Sequence, residues 1–160
     1  MAEETLPRTE EQERALSEHV AERDMIKFMI YRSSGILYGI NTEYVDEILT
    51  DVTATQVPMV PEYISGVINL RGQIVPIVDF RLLLGRFPGE ESCAIILTIE
   101  GTVLGILVDS VDQIVDVTKS SILPVPTQNN NRLVSGMTTL PGGTGTVMLL
   151  DAPVLLHMDG

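Results

Sequence analysis

The feature that most constrains this chain is an internal repeat. Gly35-x-x-x-Gly39-Ile40 with Val45-Asp46-x-Ile48 recurs as Gly101-x-x-x-Gly105-Ile106 with Val111-Asp112-x-Ile114, an offset of 66. Ile64-Ser65-Gly66 with Leu70-x-Gly72 recurs as Val134-Ser135-Gly136 with Leu140-x-Gly142, an offset of 70. Asp79 and its three leucines, Leu82 to Leu84, recur as Asp151 with Val154-Leu155-Leu156, an offset of 72. The slow growth of the offset means a few inserted residues, which loops absorb. Two copies of one β unit follow, at about 25–86 and 92–157. A unit of roughly 60 residues is marginal alone, so the copies are expected to pack together as two small barrels sharing an interface. A duplication does not say which strands complete which barrel, because halves can exchange segments.

Each copy reads as short strands. Ile26–Tyr31 alternates, Ser33-Ser34-Gly35 turns, and Ile36–Ile40 returns as a hairpin. Asn41-Thr42 is expected to cap a helical turn over Glu43–Leu49, with Val45 and Ile48 on one side. Thr53–Val57 reads as a weak strand, closed by Pro58 and Pro61. Val67–Leu70 and Gln73–Asp79 pair across Arg71-Gly72, where glycine supplies the φ freedom that a tight turn needs. Asp79 then caps a short helix through Leu82–Leu84, stopped by Gly85. Apolar residues make up 44 % of the chain but only seven are aromatic, so Val, Ile and Leu fill the interior, which suits packed strands.

Residues 1–24 form a separate arm. They carry eight acids against three bases, a net of −5, and the other 136 residues carry −7 of the total −12. Thr9-Glu-Glu-Gln12 has capping-box spacing, which predicts a weakly docked helix over about 9–23. The acidic balance disfavours nucleic acid and anionic lipid. No apolar run approaches the ~18 residues of a membrane span, and no basic-then-apolar leader opens the chain. A cytoplasmic location is the expectation. Cys93 is the only cysteine, in keeping with a reducing compartment.

The stretch Gly66-Val-Ile-Asn69-Leu70-Arg71-Gly72-Gln-Ile-Val75-Pro76-Ile77-Val-Asp79, with Arg81 after it, resembles the signature of the CheW family. These are coupling proteins that join chemoreceptors to the histidine kinase CheA. The resemblance extends over about residues 25–157. It implies an all-β fold of two SH3-like five-stranded barrels, no enzymatic activity and no cofactor. The implied partners are a CheA-type kinase, through its CheW-like regulatory domain, and the helical-hairpin tip of a chemoreceptor held between the barrels. No direct membrane insertion is implied, only recruitment to membrane-associated receptor arrays. The receptor surface maps to Arg71, Val45, Glu47, Ile48 and Ile74, and one kinase contact to Ala54, Thr55, Gln56 and Val57. A ring contact maps to Leu123, Thr127 and Gln128, where couplers often carry charged and aromatic residues instead.

The residues themselves single out Arg71. An arginine keeps its charge, and at a turn between apolar strands it is either half of an intrachain salt bridge or a binding-site residue. The second copy has Pro141 there. Both turns keep glycine and only one has a cation, an asymmetry that fold maintenance does not require. If Val45 and Ile48 floor a cleft with Glu47 and Arg71 on its rim, the cleft suits the apolar stripe of a helix. Catalysis finds no support: Cys93 heads an apolar strand, His19 and His157 are scattered, and Gly142-Gly143-Thr144-Gly145 lacks the lysine of a phosphate loop. The readings left open are a receptor–kinase adaptor in chemotaxis, the same fold serving pilus motility or development, and a ligand-binding or enzymatic β-barrel. Deleting residues 1–23 is expected to leave the thermal midpoint unchanged, whereas a fall above ~5 °C, roughly 1 kcal/mol at this size, would mean that the arm is docked.

Overall fold

The computed structural model describes residues 9–14, 24–87, 92–125 and 132–157. Ten strands run in order: β1 Met25–Ser33, β2 Ile36–Asn41, β3 Val45–Thr50, β4 Ile64–Leu70, β5 Gln73–Asp79, β6 Cys93–Ile99, β7 Thr102–Val108, β8 Ser110–Thr118, β9 Val134–Thr139 and β10 Thr146–Leu150. They form two five-stranded sheets, ordered β8-β1-β2-β10-β9 and β3-β6-β7-β5-β4. The copies have therefore exchanged their first hairpins. β1 and β2 complete the sheet of β8, β9 and β10, and β6 and β7 complete that of β3, β4 and β5. Each sheet joins the copies twice, at a parallel pair (β2·β10 or β7·β5) and at an antiparallel pair (β1·β8 or β3·β6).

Strand alternation divides the interior into three cores. Phe28, Ile30, Val117, Val147 and Leu149 fill the first barrel. Val75, Ile77, Ala94 and Ile96 fill the second. The opposite faces of the same strands meet between the barrels, where Met29, Tyr31, Tyr38 and Ile40 pack with Ile95, Leu97, Leu104 and Ile106. This seam is the largest of the three.

Local chemistry explains the turns. Ser34-Gly35, Arg71-Gly72 and Glu100-Gly101 all have positive φ at both positions (52°/78°, 53°/82°, 50°/81°), the two-residue connection whose twist matches its strands. At the arm, Thr9 and Gln12 exchange backbone-to-side-chain hydrogen bonds at 3.0 and 3.2 Å, the expected capping box, and residues 10–14 are helical. The rest of the predicted helix lies outside the described residues.

One element differs from expectation. The helical turn predicted over Glu43–Leu49 is a single 3-10 turn, Thr42–Tyr44, followed by strand β3. Asn41 does cap it, accepting from the Glu43 amide at 3.0 Å. The apolar spacing of Val45 and Ile48 has another cause: the register with β6 slips between Val45 and Glu47. Asp46 is the extra residue of a β-bulge, and Asp112 holds the same place in the slip of β8 against β1. A bulge shifts the alternation by one and so imitates a helical spacing of three. Each bulge aspartate accepts from a cross-strand side chain at the repeat-equivalent position, Asp46 from Thr98 and Asp112 from Arg32.

The loop after β3 crosses β4 closely. Thr55 and Val67 exchange both backbone hydrogen bonds, at 2.8 and 2.9 Å, in an isolated bridge rather than the predicted strand Thr53–Val57. Gly66 makes room for it: a Cβ there would lie 2.2 Å from the Thr55 carbonyl oxygen, and φ is +143°. A Cβ at Gly72 would meet nothing within 4 Å. Gly66→Ala should therefore lose about 3 kcal/mol or more, from strain plus displaced backbone, and Gly72→Ala only about 1–2 kcal/mol. Urea unfolding of the two variants measures the difference, and equal losses would contradict the close approach.

Candidate functional site

The sheet β3-β6-β7-β5-β4 curls until its two ends meet, and the Arg71–Glu47 contact marks the closure. Arg71 Nη2 donates to Glu47 Oε2 at 2.5 Å, from the β4–β5 turn to edge strand β3. The turn is held by Asn69 Oδ1, which accepts from the Gly72 amide at 2.9 Å. Arg71 is 73 % exposed at its side chain and Glu47 24 %, so Arg71 is ion-paired and yet open to solvent. A hollow of about 140 Å³ lies beside it, lined by Asp46, Glu47, Leu70, Gln73, Ile96 and Val103. Ile96 belongs to the barrel interior, so this hollow is the mouth of one barrel, not the space between two.

The predicted receptor residues are only partly gathered. Val45 is half-buried and packs against the seam; the bulge at Asp46 turns it away from the face of Glu47. Ile48 is 41 % exposed at the β3 edge and lies opposite Ile95, with β6 and β7 between it and β5. Ile74 is 62 % exposed and shares its face of β5 with Pro76 and Val78, because alternate strand residues point the same way.

That face leads into a second depression at the seam. Pro76, Val78, Leu83, Leu104, Leu155 and Leu156 line an apolar groove of about 210 Å³. The two copies differ beside it. Phe80 packs edge-on against Tyr38 and Tyr31, with centroids 4.8 and 5.4 Å away. The repeat places Ala152, Leu104 and Leu97 at the matching positions. Of these Leu104 lines the groove, while Leu97 and Ala152 are buried; composition gave no signal of the groove.

The predicted kinase residues divide as well. Ala54 packs against the barrel core, and both backbone groups of Thr55 are paired with Val67, which occupies the side of this segment that faces β4. Gln56 and Val57 are exposed and line a broad concavity of about 510 Å³ with Val60, Pro61, Ile64 and Leu82. Met59 stands fully exposed in the same loop. For the ring contact, Leu123 is 55 % exposed and bridged to Met137, the counterpart of the Thr55–Val67 bridge; Thr127 and Gln128 lie outside the described residues.

Sequence reading gave Arg81 no role beyond the motif. It is buried at 2 % exposure, with Nε and Nη2 on Asp79 at 3.0 and 3.1 Å and Nη1 on Asp109 Oδ1 at 3.0 Å. Burial alone would lower its pKa, but the bonds to Asp79 and Asp109 hold it above the ordinary value. Cys93 is buried, and desolvation raises its thiol pKa, the setting of an inert thiol. Among the described residues no group of three His, Cys, Asp or Glu is placed to hold a metal, and no helix is long and apolar enough to cross a membrane.

If the Arg71 cation serves a partner and not the turn, Arg71→Asn should change stability by less than about 1 kcal/mol. An exposed ion pair is worth about 0–1 kcal/mol, and asparagine tolerates the left-handed backbone better. A loss above about 2 kcal/mol in chemical denaturation would make the pair structural.

A model of the CheW-like domain matches residues 27–160. The chemotaxis protein CheW of Rhizobium meliloti is 36 % identical over 107 residues, 65 % of this chain and 67 % of that protein. The protein of the same name from Klebsiella aerogenes is 36 % identical over 103 residues, 62 % of this chain and 62 % of that one. The match thus spans somewhat less than two thirds of the Klebsiella relative. The scaffolding protein TtCheW from Thermoanaerobacter tengcongensis superposes with a TM-score of 0.77 at 28 % identity, covering 84 % of this chain and 94 % of that one.

Proposed function

The chain belongs to the CheW-like domain family, and from that membership we infer that it is a non-enzymatic adaptor coupling chemoreceptors to a CheA-type histidine kinase. The observation that carries the receptor half of this reading is the path along β5. It begins at the exposed guanidinium of Arg71, passes the uncovered side chain of Ile74 and ends in the apolar groove at Pro76 and Val78. An amphipathic helix presents a stripe of that kind, apolar along its length with polar groups at its margin. The receptor tip docks along this path, with Arg71 bonding to its polar margin. Arg71 arrives already oriented by Glu47, so little side-chain freedom is lost on binding.

The kinase regulatory domain docks on the concavity bearing Gln56, Val57 and Met59. The exposed side chains of Gln56, Val57 and Met59 make the contact there. Occupying both faces holds receptor and kinase in one array at the membrane, so receptor state reaches the kinase through a fixed geometry.

The two faces separate by mutation. Ile74→Glu and Arg71→Ala should each weaken binding of a receptor-tip fragment at least tenfold and lower receptor-dependent kinase activation, leaving affinity for the kinase regulatory domain within twofold. Val57→Glu should do the reverse. Calorimetry with each partner decides; unaltered receptor affinity in both β5-side variants would sink the docking path.

A further inference from the structure

The Arg81 network exists once in a protein whose fold is built twice. Besides Asp79, the guanidinium reaches Ser92 Oγ at 2.9 Å and Asp109 Oδ1 at 3.0 Å. The other oxygen of Asp109 accepts from the Ser34 amide at 2.8 Å, and the Asp109 amide donates to the Arg32 carbonyl at 2.9 Å. Asp79 ends β5 of one sheet and Arg81 follows it; Ser34 sits in the β1–β2 turn of the other. A line of charge-assisted hydrogen bonds thus crosses between the barrels at one end of the seam.

The repeat-equivalents of Arg81, Asp109 and Ser34 are Pro153, Glu43 and Glu100, which cannot form such a line. The unit itself does not need it. Asp151 ends its strand as Asp79 does, its amide donating to Leu133 at 2.7 Å where that of Asp79 donates to Tyr63 at 2.6 Å. Nor is stability a sufficient reason, since buried ion pairs are often no better than well-packed apolar side chains. A planar fork with fixed donors sets direction instead.

What it directs is the four-residue helix Phe80–Leu83. Phe80 is the plug among the seam aromatics, Leu83 is a wall of the apolar groove, and Leu82 is a wall of the concavity. Ile64 lines both depressions. The two docking faces therefore share a partition, and Arg81 holds it. We propose that Arg81, tied through Asp109 to the β1–β2 turn, is a positioning residue that fixes the partition between the receptor groove and the kinase concavity, so that both sites depend on one buried cation. The proposal rests on the assignment of those two faces given above.

Asp109→Asn tests it. Asp79 still pairs with Arg81, so the fold is retained, but the guanidinium and the Ser34 amide bond to different oxygens of Asp109, and in asparagine one of these is an NH2 that cannot accept. Arg81→Lys is the second variant, keeping the charge and losing the fork. Well below the unfolding midpoint, exchange of the Ser34 and Leu84 amides should quicken at least tenfold in Asp109→Asn. Its dissociation constants for the receptor-tip fragment and for the kinase regulatory domain should both rise about fivefold or more, with Arg81→Lys intermediate. A structural role alone would lower the midpoint and leave both constants unchanged in the folded protein; that result, or a change at only one face, overturns the proposal. If the wild-type chain binds neither partner, the adaptor reading falls and takes the positioning role with it; if the wild type binds both and the variants match it, only the positioning role fails.

Discussion

The structure depends on the apolar seam between two sheets that neither copy of the repeat can build alone. Each sheet takes three strands from one copy and a hairpin from the other, so neither barrel closes until both copies are in place. The strands that cross over, β1, β2, β6 and β7, bear most of the buried seam residues, from Met29 to Ile40 and from Cys93 to Val108. Their opposite faces fill the barrels. Exchange and burial are one fact: a hairpin with two apolar faces has to be covered on both sides, and only the sandwich of barrel interior and seam does that. The barrels are two by shape and one by thermodynamics.

The proposed binding surfaces gather where the repeat departs from its own symmetry. Glycines at 39 and 105 admit close side chains, those at 66 and 136 admit crossing loops, and bulge aspartates 46 and 112 are matched in both copies. These positions serve the fold. Arg71 against Pro141, Arg81 against Pro153 and Phe80 against Ala152 are unmatched. The first places an exposed cation at a barrel mouth, the second a buried cation across the seam, and the third an aromatic ring where the other copy has a buried alanine. A duplicated fold supplies its own control, because whatever one copy does without is not required by the shared architecture.

Much of this was legible in the residues. The hairpins, the glycine turns, the Asp79 cap and the capping box of the arm are local, and local chemistry decides them. The region 42–49 was misread because a bulge and a helical turn give the same spacing over so short a span. Pairing with β6 arbitrates, and β6 lies some 50 residues away. The hairpin exchange was illegible for a different reason. Both copies carry the same signals, so a strand has no local preference for its own half. Arg81 was passed over because its decisive partner, Asp109, lies 28 residues on, and an arginine after a capped strand is ordinarily a solvated one.

The seam also shows why one polar tie is useful in an otherwise apolar contact. Dispersion and the hydrophobic effect are nearly indifferent to direction, so two apolar faces that bury the same area at slightly different rotations differ little in free energy. Tyr31, Tyr38 and Phe80 narrow the choice by shape. The guanidinium narrows it by angle, since a fork bound by Asp79 along one side and by Asp109 at another nitrogen fits a single arrangement. The tie sits in the helix Phe80–Leu83, whose Leu83 is a wall of the groove, so any rotation there would change the width of the opening. Rigidity at the tie therefore sets that dimension, and a surface that recognises a partner by shape has more need of a fixed opening than of a deeper core.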